Sequence, residues 1–264
     1  MGDFRVYSWD EGASGRPLGG QKTALTVGVF DGPHRGHRKL INAVLRQPLC
    51  RGAVTFAGLL KSSGTVKAPV STMGQRLDFF KEQGLDFAIV IDFSGNFGKM
   101  EGRAFLGTLA DRWGMKFLAE GDDFRCGHHG ACGIEEISRL SAGLDFTLEV
   151  EESVIYRGER ISSSRIRDAV GAGDFAAVED MLGRPYALDC RGWAWTRAGK
   201  GGALMGGEVL QALPKDGVYG VTARSGAAQS RGRLEVSGGG LVLYDTGGKP
   251  ECISEIIFKA YKEK

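Results

Sequence analysis

Apolar runs of β-forming residues alternate with segments of helical period through roughly the first two thirds of the chain. Strands are predicted at Ala24 to Val29, Ala53 to Phe56, Phe87 to Ile91, Lys116 to Ala119 and Phe146 to Val150. Helices are predicted between them at His37 to Arg46, Met73 to Gln83, Gly102 to Arg112 and Ile134 to Leu140. This alternation predicts βαβ units, and so an α/β fold whose parallel sheet is covered on both faces. Two more helices are expected from about Ser163 to Val170 and from about Phe175 to Leu182, the second with Asp174 as N-cap.

After Gly183-Arg184-Pro185 the helical period disappears. The short runs Gly217 to Ala223, Gly232 to Val236 and Gly240 to Tyr244 sit between glycine clusters and predict a small antiparallel β module, so the chain divides at residues 1–186 and 187–264. Gly199 to Gly207, GKGGALMGG, reads as a glycine-rich loop without the Ser or Thr that follows Lys in a phosphate loop. In Glu251 to Lys264 the apolar positions Ile253, Ile256, Ile257 and Ala260 have the spacing of an amphipathic helix docked on the module. No repeat of solenoid length is present.

Composition narrows the class. The 264 residues are 42% hydrophobic and 25% charged, as in an ordinary globular protein. With 34 Lys plus Arg against 32 Asp plus Glu, the net charge of +2 provides no broad footprint for nucleic acid or an anionic membrane, so neither is expected as a partner. No apolar run reaches the roughly 20 residues that span a bilayer. The opening MGDFRVYSWDEGASG lacks the features of a secretory signal, and the expectation is a cytoplasmic protein. Five scattered cysteines without a CxxC pair predict free thiols.

The most informative stretch is Thr26 to Ile41, TVGVFDGPHRGHRKLI, in which a strand runs through a glycine turn into a helix starting near Gly36. In open α/β sheets ligands bind at such strand ends, and a helix N-terminus favours an anion. His34 and His37, three apart around Gly36, can donate hydrogen bonds to phosphate oxygens and to charge that develops on them. An HxGH taken alone reads as readily as a βα turn with surface histidines. A second stretch, Arg157 to Arg167, RGERISSSRIR, sets three serines and flanking arginines at a helix start, where hydroxyl, amide and guanidinium donors form an anion site. Ser164 and Arg167 share a helical face there, which favours Arg167 over Arg165 as a phosphate contact, with Arg160 approaching from the strand side.

Together these stretches resemble the nucleotidyltransferase superfamily marked by HxGH and an ISSTxIR-like signature. GVFDGPHRGHRKLI, GDDFRCG at Gly121 to Gly127, ISSSRIRDAVGAGDF at Ile161 to Phe175 and LGRPY at Leu182 to Tyr186 are similar, in order, to the FMN adenylyltransferase module of prokaryotic FAD synthetases. The resemblance implies a Rossmann-like domain that transfers AMP from ATP to FMN, yielding FAD and pyrophosphate with Mg²⁺ assistance. It implies His34 and His37 as the catalytic pair. Gly28, Phe30, Asp31 and Gly36 would form the loop around them, and Arg160, Ser163, Ser164 and Arg167 would bind the triphosphate. Asp123 and Phe56 fall on the flavin side, and no protein-held metal is implied.

Two segments depart from the family pattern. Val54-Thr55-Phe56 continues into Ala57-Gly58-Leu59-Leu60 without the usual PHP-containing segment. The run Cys126-Gly127-His128-His129-Gly130-Ala131-Cys132 replaces a basic glycine-rich one; its four soft or borderline ligands lack the short cysteine pairing of zinc sites, so it is expected to be a loop beside the flavin. In bifunctional members the C-terminal module is a riboflavin kinase with a PTAN motif. Residues 187–264 hold no asparagine, although Pro214-Lys215-Asp216-Gly217-Val218-Tyr219 resembles the PxxGVY start of a kinase-barrel strand. The expectation is a reduced, kinase-like β module without kinase activity. A bifunctional enzyme, an adenylyltransferase for another nucleotide and a catalytically silent flavin-binding protein remain as alternatives.

Overall fold

The computed structural model describes residues 3–58, 67–93, 97–198, 202–206, 209–244 and 252–260. Leu59, Leu60, Glu251 and 261–264 lie outside the described residues, as do 199–201 and 207 of the glycine-rich run. The chain forms two compact units. One comprises Met1–Phe30, Gly36–Leu60 and Arg76–Arg160, the other Asp31–Arg35, Lys61–Gln75 and Ile161–Lys264.

The first unit is built on strands β1 (Arg5–Ser8), β2 (Thr23–Val27), β3 (Cys50–Ala57), β4 (Phe87–Asp92) and β5 (Met115–Gly121), followed by the short pair β6 (Arg125–Cys126) and β7 (Cys132–Gly133), then β8 (Thr147–Glu151) and the short pair β9 (Ile155–Tyr156) and β10 (Glu159–Arg160). Six of these form a parallel sheet of order β1-β4-β3-β2-β5-β8. The helices are α1 (Trp9–Ser14), α2 (Arg35–Leu45), α3 (Met73–Gln83), α4 (Gly102–Trp113) and α5 (Ile134–Gly143). Consecutive strand residues point to opposite faces. Ala24, Ala53 and Ala88 join Ile41, Val44, Phe79 and Phe80 in one core, while their neighbours Leu25, Val54 and Ile89 join Leu106, Leu109, Trp113 and Ile137 in the other. The strand order reverses direction between β2 and β5, the topological switch at which such sheets bind ligands.

β1 and α1 are additions to the sequence reading. β1 is a short edge strand on β4, and α1 starts where the Ser8 amide donates to Glu11 Oε2 at 2.6 Å. Trp9 from α1 stacks on Phe105.

The second unit contains α6 (Ser163–Ala172) and α7 (Phe175–Leu182), with the Asp174 side chain capping α7 by accepting from the Ala177 amide at 3.0 Å. It continues with β11 (Ala187–Asp189), β12 (Ala194–Ala198), β13 (Gly202–Gly206), β14 (Gly217–Ser225), β15 (Ala228–Ser237), β16 (Gly240–Tyr244) and β17 (Glu255–Phe258). These form one antiparallel sheet, β11-β17-β14-β15-β16-β13-β12. Gly202–Gly206, expected in a loop, is strand β13, paired with both β12 and β16.

The expected C-terminal helix is overturned by the strand β17. It lies between β11 and β14, with Ile256 opposite both Leu188 and Ala223. Ile256 and Phe258 are buried while Glu255 and Ile257 are half-buried, which is a period of two. The Ile-Ile-Phe run is itself β-forming, and pairing on both edges outweighs the helical spacing. Phe258 stacks on Phe175 at 4.3 Å between ring centroids.

Phe258 is 1% exposed. Phe258→Ala is expected to cost about 3–5 kcal/mol, read as a lower urea midpoint. A loss below about 0.5 kcal/mol, the size of a surface change, would show that this strand is no part of the core.

Candidate active site

In the first unit, the chain leaves β2 through a tightly tied turn. The Gly28 amide donates to the Val54 carbonyl at 3.0 Å. The Val29 carbonyl accepts from Thr55 Oγ1 at 3.0 Å and from Arg76 Nη1 at 2.9 Å, and the same guanidinium nitrogen reaches the Phe56 carbonyl at 3.1 Å. Arg76 is buried, so these carbonyls at the ends of β2 and β3 carry part of its charge. Phe30 follows with φ +52°, a left-handed conformation that is uncommon for a bulky residue and costs about 1–3 kcal/mol. Its fully buried ring packs edge-on against Phe80 and lies 4.9 Å from the His37 ring. Strained backbone and locked ring together seat His37 in the first turn of α2.

In the second unit, Asp31 organises the rest of the turn. Its Oδ1 accepts from the amides of Val70 at 2.8 Å and Ser71 at 3.0 Å, and its Oδ2 from Arg167 Nη2 at 2.7 Å. The Ser163 hydroxyl donates to the Asp31 carbonyl at 2.6 Å, and Ser71 Oγ accepts from the Gly32 amide at 2.8 Å. Arg184, from the LGRPY stretch, donates to the Pro33 carbonyl. Gly32 has φ +60°, and a Cβ there would lie 2.5 Å from Val70 Cγ1, so both conformation and space demand glycine. His34 is buried immediately before α2 begins. The two histidines thus flank the amino end of a helix, where amides and dipole favour an anion.

Helix α6 supplies the serine and arginine groups. Ser162 is its N-cap, accepting from the Arg165 amide at 3.3 Å. Ser163 and Arg167, four apart, both meet Asp31, whereas Ser164 is exposed. Arg167 also donates through Nε to the Ala68 carbonyl at 2.7 Å. The Asp31–Arg167 pair is partly buried, so breaking it is costly because the remaining charge loses its counterion.

On the flavin side expected from sequence, Asp123 forms an ion pair with Arg160, and Asp122 accepts from Ser153 Oγ at 2.8 Å. Phe56 is half-buried and packs on Phe93, which is partly exposed. Cys126 and Cys132 lie opposite each other across β6 and β7, both buried as free thiols, and burial pushes both thiols up. The rings of the exposed His128 and His129 are 3.9 Å apart. Among the described residues, no group of three or more His, Cys, Asp or Glu is arranged to hold a metal ion. No helix of the described residues is long and apolar enough to cross a membrane.

Sequence reasoning missed Ser71, Arg76, Glu120 and Arg184. The signal for Arg184 was present in LGRPY, but its role as the Pro33 anchor was not readable. Ser71 and Arg76 come from a segment with no motif. Glu120 sits inside an apolar strand and is 1% exposed, its Oε1 accepting from the Val27 amide at 2.6 Å. Burial pushes its carboxyl well above the usual carboxylate range, the Val27 bond opposes the shift and Asp123 adds to it.

A parallel sheet with its switch between β2 and β5, and a histidine-bearing turn leading from β2 into α2, define a Rossmann-like α/β fold. The FAD synthetase family model matches residues 19–165, more than half of the chain, and the chain belongs to that family. It is 31% identical over 177 residues to the bifunctional riboflavin kinase/FMN adenylyltransferase of Escherichia coli strain K12, a match that covers 63% of this chain and 56% of that protein. It is 29% identical to the protein of the same name from Haemophilus influenzae, covering 64% and 57%. The matches thus span a little over half the length of these relatives. A solved structure described as a macrolide-efflux protein from Streptococcus pneumoniae has the same fold, with TM-score 0.82 and 20% identity over 98% of this chain and 90% of that one.

Asp31→Ala strands Arg167 and frees two amides, so a loss on the order of 3 kcal/mol is expected in urea unfolding. Unchanged stability would mean that Asp31 does not hold this turn.

Proposed function

We propose that this protein is an FMN adenylyltransferase. A phosphate oxygen of FMN attacks the α-phosphorus of ATP, the bond from that phosphorus to the α–β bridging oxygen breaks, and pyrophosphate leaves with the bond's electrons. The observation that carries this reading is the histidine-bearing turn at the amino end of α2, held by Asp31, Ser163 and Arg167. It is supported by the family membership and by the names of the relatives.

His34 and His37 are assigned as the catalytic pair, donating to phosphoryl oxygens as charge develops there. Gly28, Phe30, Asp31 and Gly36 shape the turn, and the α2 amides add donors. Arg160, Ser163, Ser164 and Arg167 are assigned to the triphosphate, with Arg167 shared between phosphate and Asp31. Asp123 and Phe56 are assigned to the flavin, Phe56 as part of an aromatic surface with Phe93. Mg²⁺ is treated as part of the substrate. Both Asp31 oxygens are already engaged, which suits an ion that arrives on ATP phosphates and keeps its waters.

The C-terminal residues 187–264 are assigned no kinase role, because they lack asparagine altogether and with it a PTAN motif. Residues 1–186 are taken as the transferase domain. Two predictions follow from these assignments. His34→Ala and His37→Ala should each lower FAD formation by about 10² to 10³ with the fold intact by circular dichroism; wild-type turnover in both would remove their phosphate role. Pure protein given riboflavin and ATP should yield no FMN by chromatography, and FMN formation lost on deleting residues 187–264 would restore the kinase.

A further inference from the structure

β2 and β5 part company at the switch point. Their pairing ends at Leu25 opposite Leu118, although β2 runs on beside β3 to Val27 and β5 runs on beside β8 to Gly121. The Val27 amide therefore has no β5 carbonyl to meet, and the Glu120 side chain meets it instead at 2.6 Å. Val27 is the last residue of β2, three positions before the strained Phe30 that seats His37.

We propose that the Glu120 carboxyl, bridging the splayed ends of β2 and β5, is a positioning residue that fixes the exit of β2 and with it the histidine turn during adenylyl transfer. This rests on the adenylyltransferase reading above. Glu120 acts through Val27, so its removal should lower kcat while leaving the KM values for ATP and FMN nearly unchanged, because the histidine donors act mainly on transition-state charge.

Burial sets the protonation of Glu120, and the groups that face it add to or oppose that effect. Asp123, on the turn after β5, opposes its ionisation, and Arg160 from β10 is held by Asp123. The Cys126 thiol on β6 feels Glu120 in turn and is itself kept neutral by burial. With burial the largest cause, the carboxyl stays protonated in the folded protein well above the pH at which it ionises in the unfolded chain. The folded state then holds one more proton than the unfolded state. Stability is complete below the unfolded carboxyl value of about 4.3 and falls by up to tenfold in the folding equilibrium per pH unit above it, until the folded group ionises. Glutamine keeps an acceptor for Val27 and a donor in place of the carboxyl O–H, without the titration.

The test compares full-length wild type, Glu120→Gln and Glu120→Leu in FAD formation from FMN and MgATP, and in urea unfolding, from about pH 6 to about pH 9. Glu120→Gln, which keeps the acceptor for Val27, should keep kcat within about threefold of wild type and flatten the fall of stability with pH. Glu120→Leu, which has no acceptor, should lower kcat by roughly ten- to hundredfold, with both KM values within about threefold of wild type. Wild-type kcat in Glu120→Leu, or a loss in Glu120→Gln as large as in Glu120→Leu, would overturn the proposal. If the leucine variant does not fold, Glu120→Met, which keeps the side-chain length without an oxygen acceptor, takes its place. A wild type that makes no FAD would sink the adenylyltransferase reading itself, and is distinguishable from an active wild type whose kcat Glu120→Leu reproduces.

Discussion

A carboxylate buried in a turn must be satisfied from every side, and Asp31 imposes that requirement on its unit. Two amides from Val70 and Ser71 and the Arg167 guanidinium meet its oxygens, while Ser163 takes its carbonyl. Each partner is thereby fixed: α6 by its first turn, the 67–72 segment by its backbone, and the Gly32 turn by Ser71. Losing the carboxylate would leave a charge and two donors unpaired, which costs more than any one contact stabilises. The same turn carries His34, so the demand for neutralisation is also what places a candidate phosphate donor.

Within the other unit, the chain up to Phe30 is tied down by similar means. Arg76 gathers the Val29 and Phe56 carbonyls, and Phe30 holds an unfavourable backbone conformation with its ring locked against Phe80. Strain retained in such a position marks a place where geometry is over-determined by packing. Donors held in this way need little reorganisation when charge develops on a phosphoryl group, the basis of electrostatic catalysis without a covalent intermediate.

Much of this was legible in the sequence because the informative residues were local. The alternation of strands and helices predicted a parallel sheet covered on both faces, Asp174 announced α7, and HxGH, GDDFRCG, the serine-arginine stretch and LGRPY, in order, pointed to the family. What was not legible depended on long-range partners. Ile253, Ile256 and Ile257 have helical spacing, yet β11 and β14 offer two strand edges that only the fold brings there. Trp9 and the short α1 carry too few residues for a period to show. Ser71, Arg76 and Glu120 bond to backbone atoms 39, 47 and 93 positions away, respectively, so no spacing rule could mark them.

The role proposed for the pinned histidine turn is transfer of AMP to FMN. Incubating the protein with FMN, Mg²⁺ and ATP radiolabelled at the α-phosphorus tests it most directly. Label should appear in FAD in step with pyrophosphate release. FMN bound at saturation with all label remaining in ATP would contradict it, and would make the protein a flavin binder without transferase chemistry.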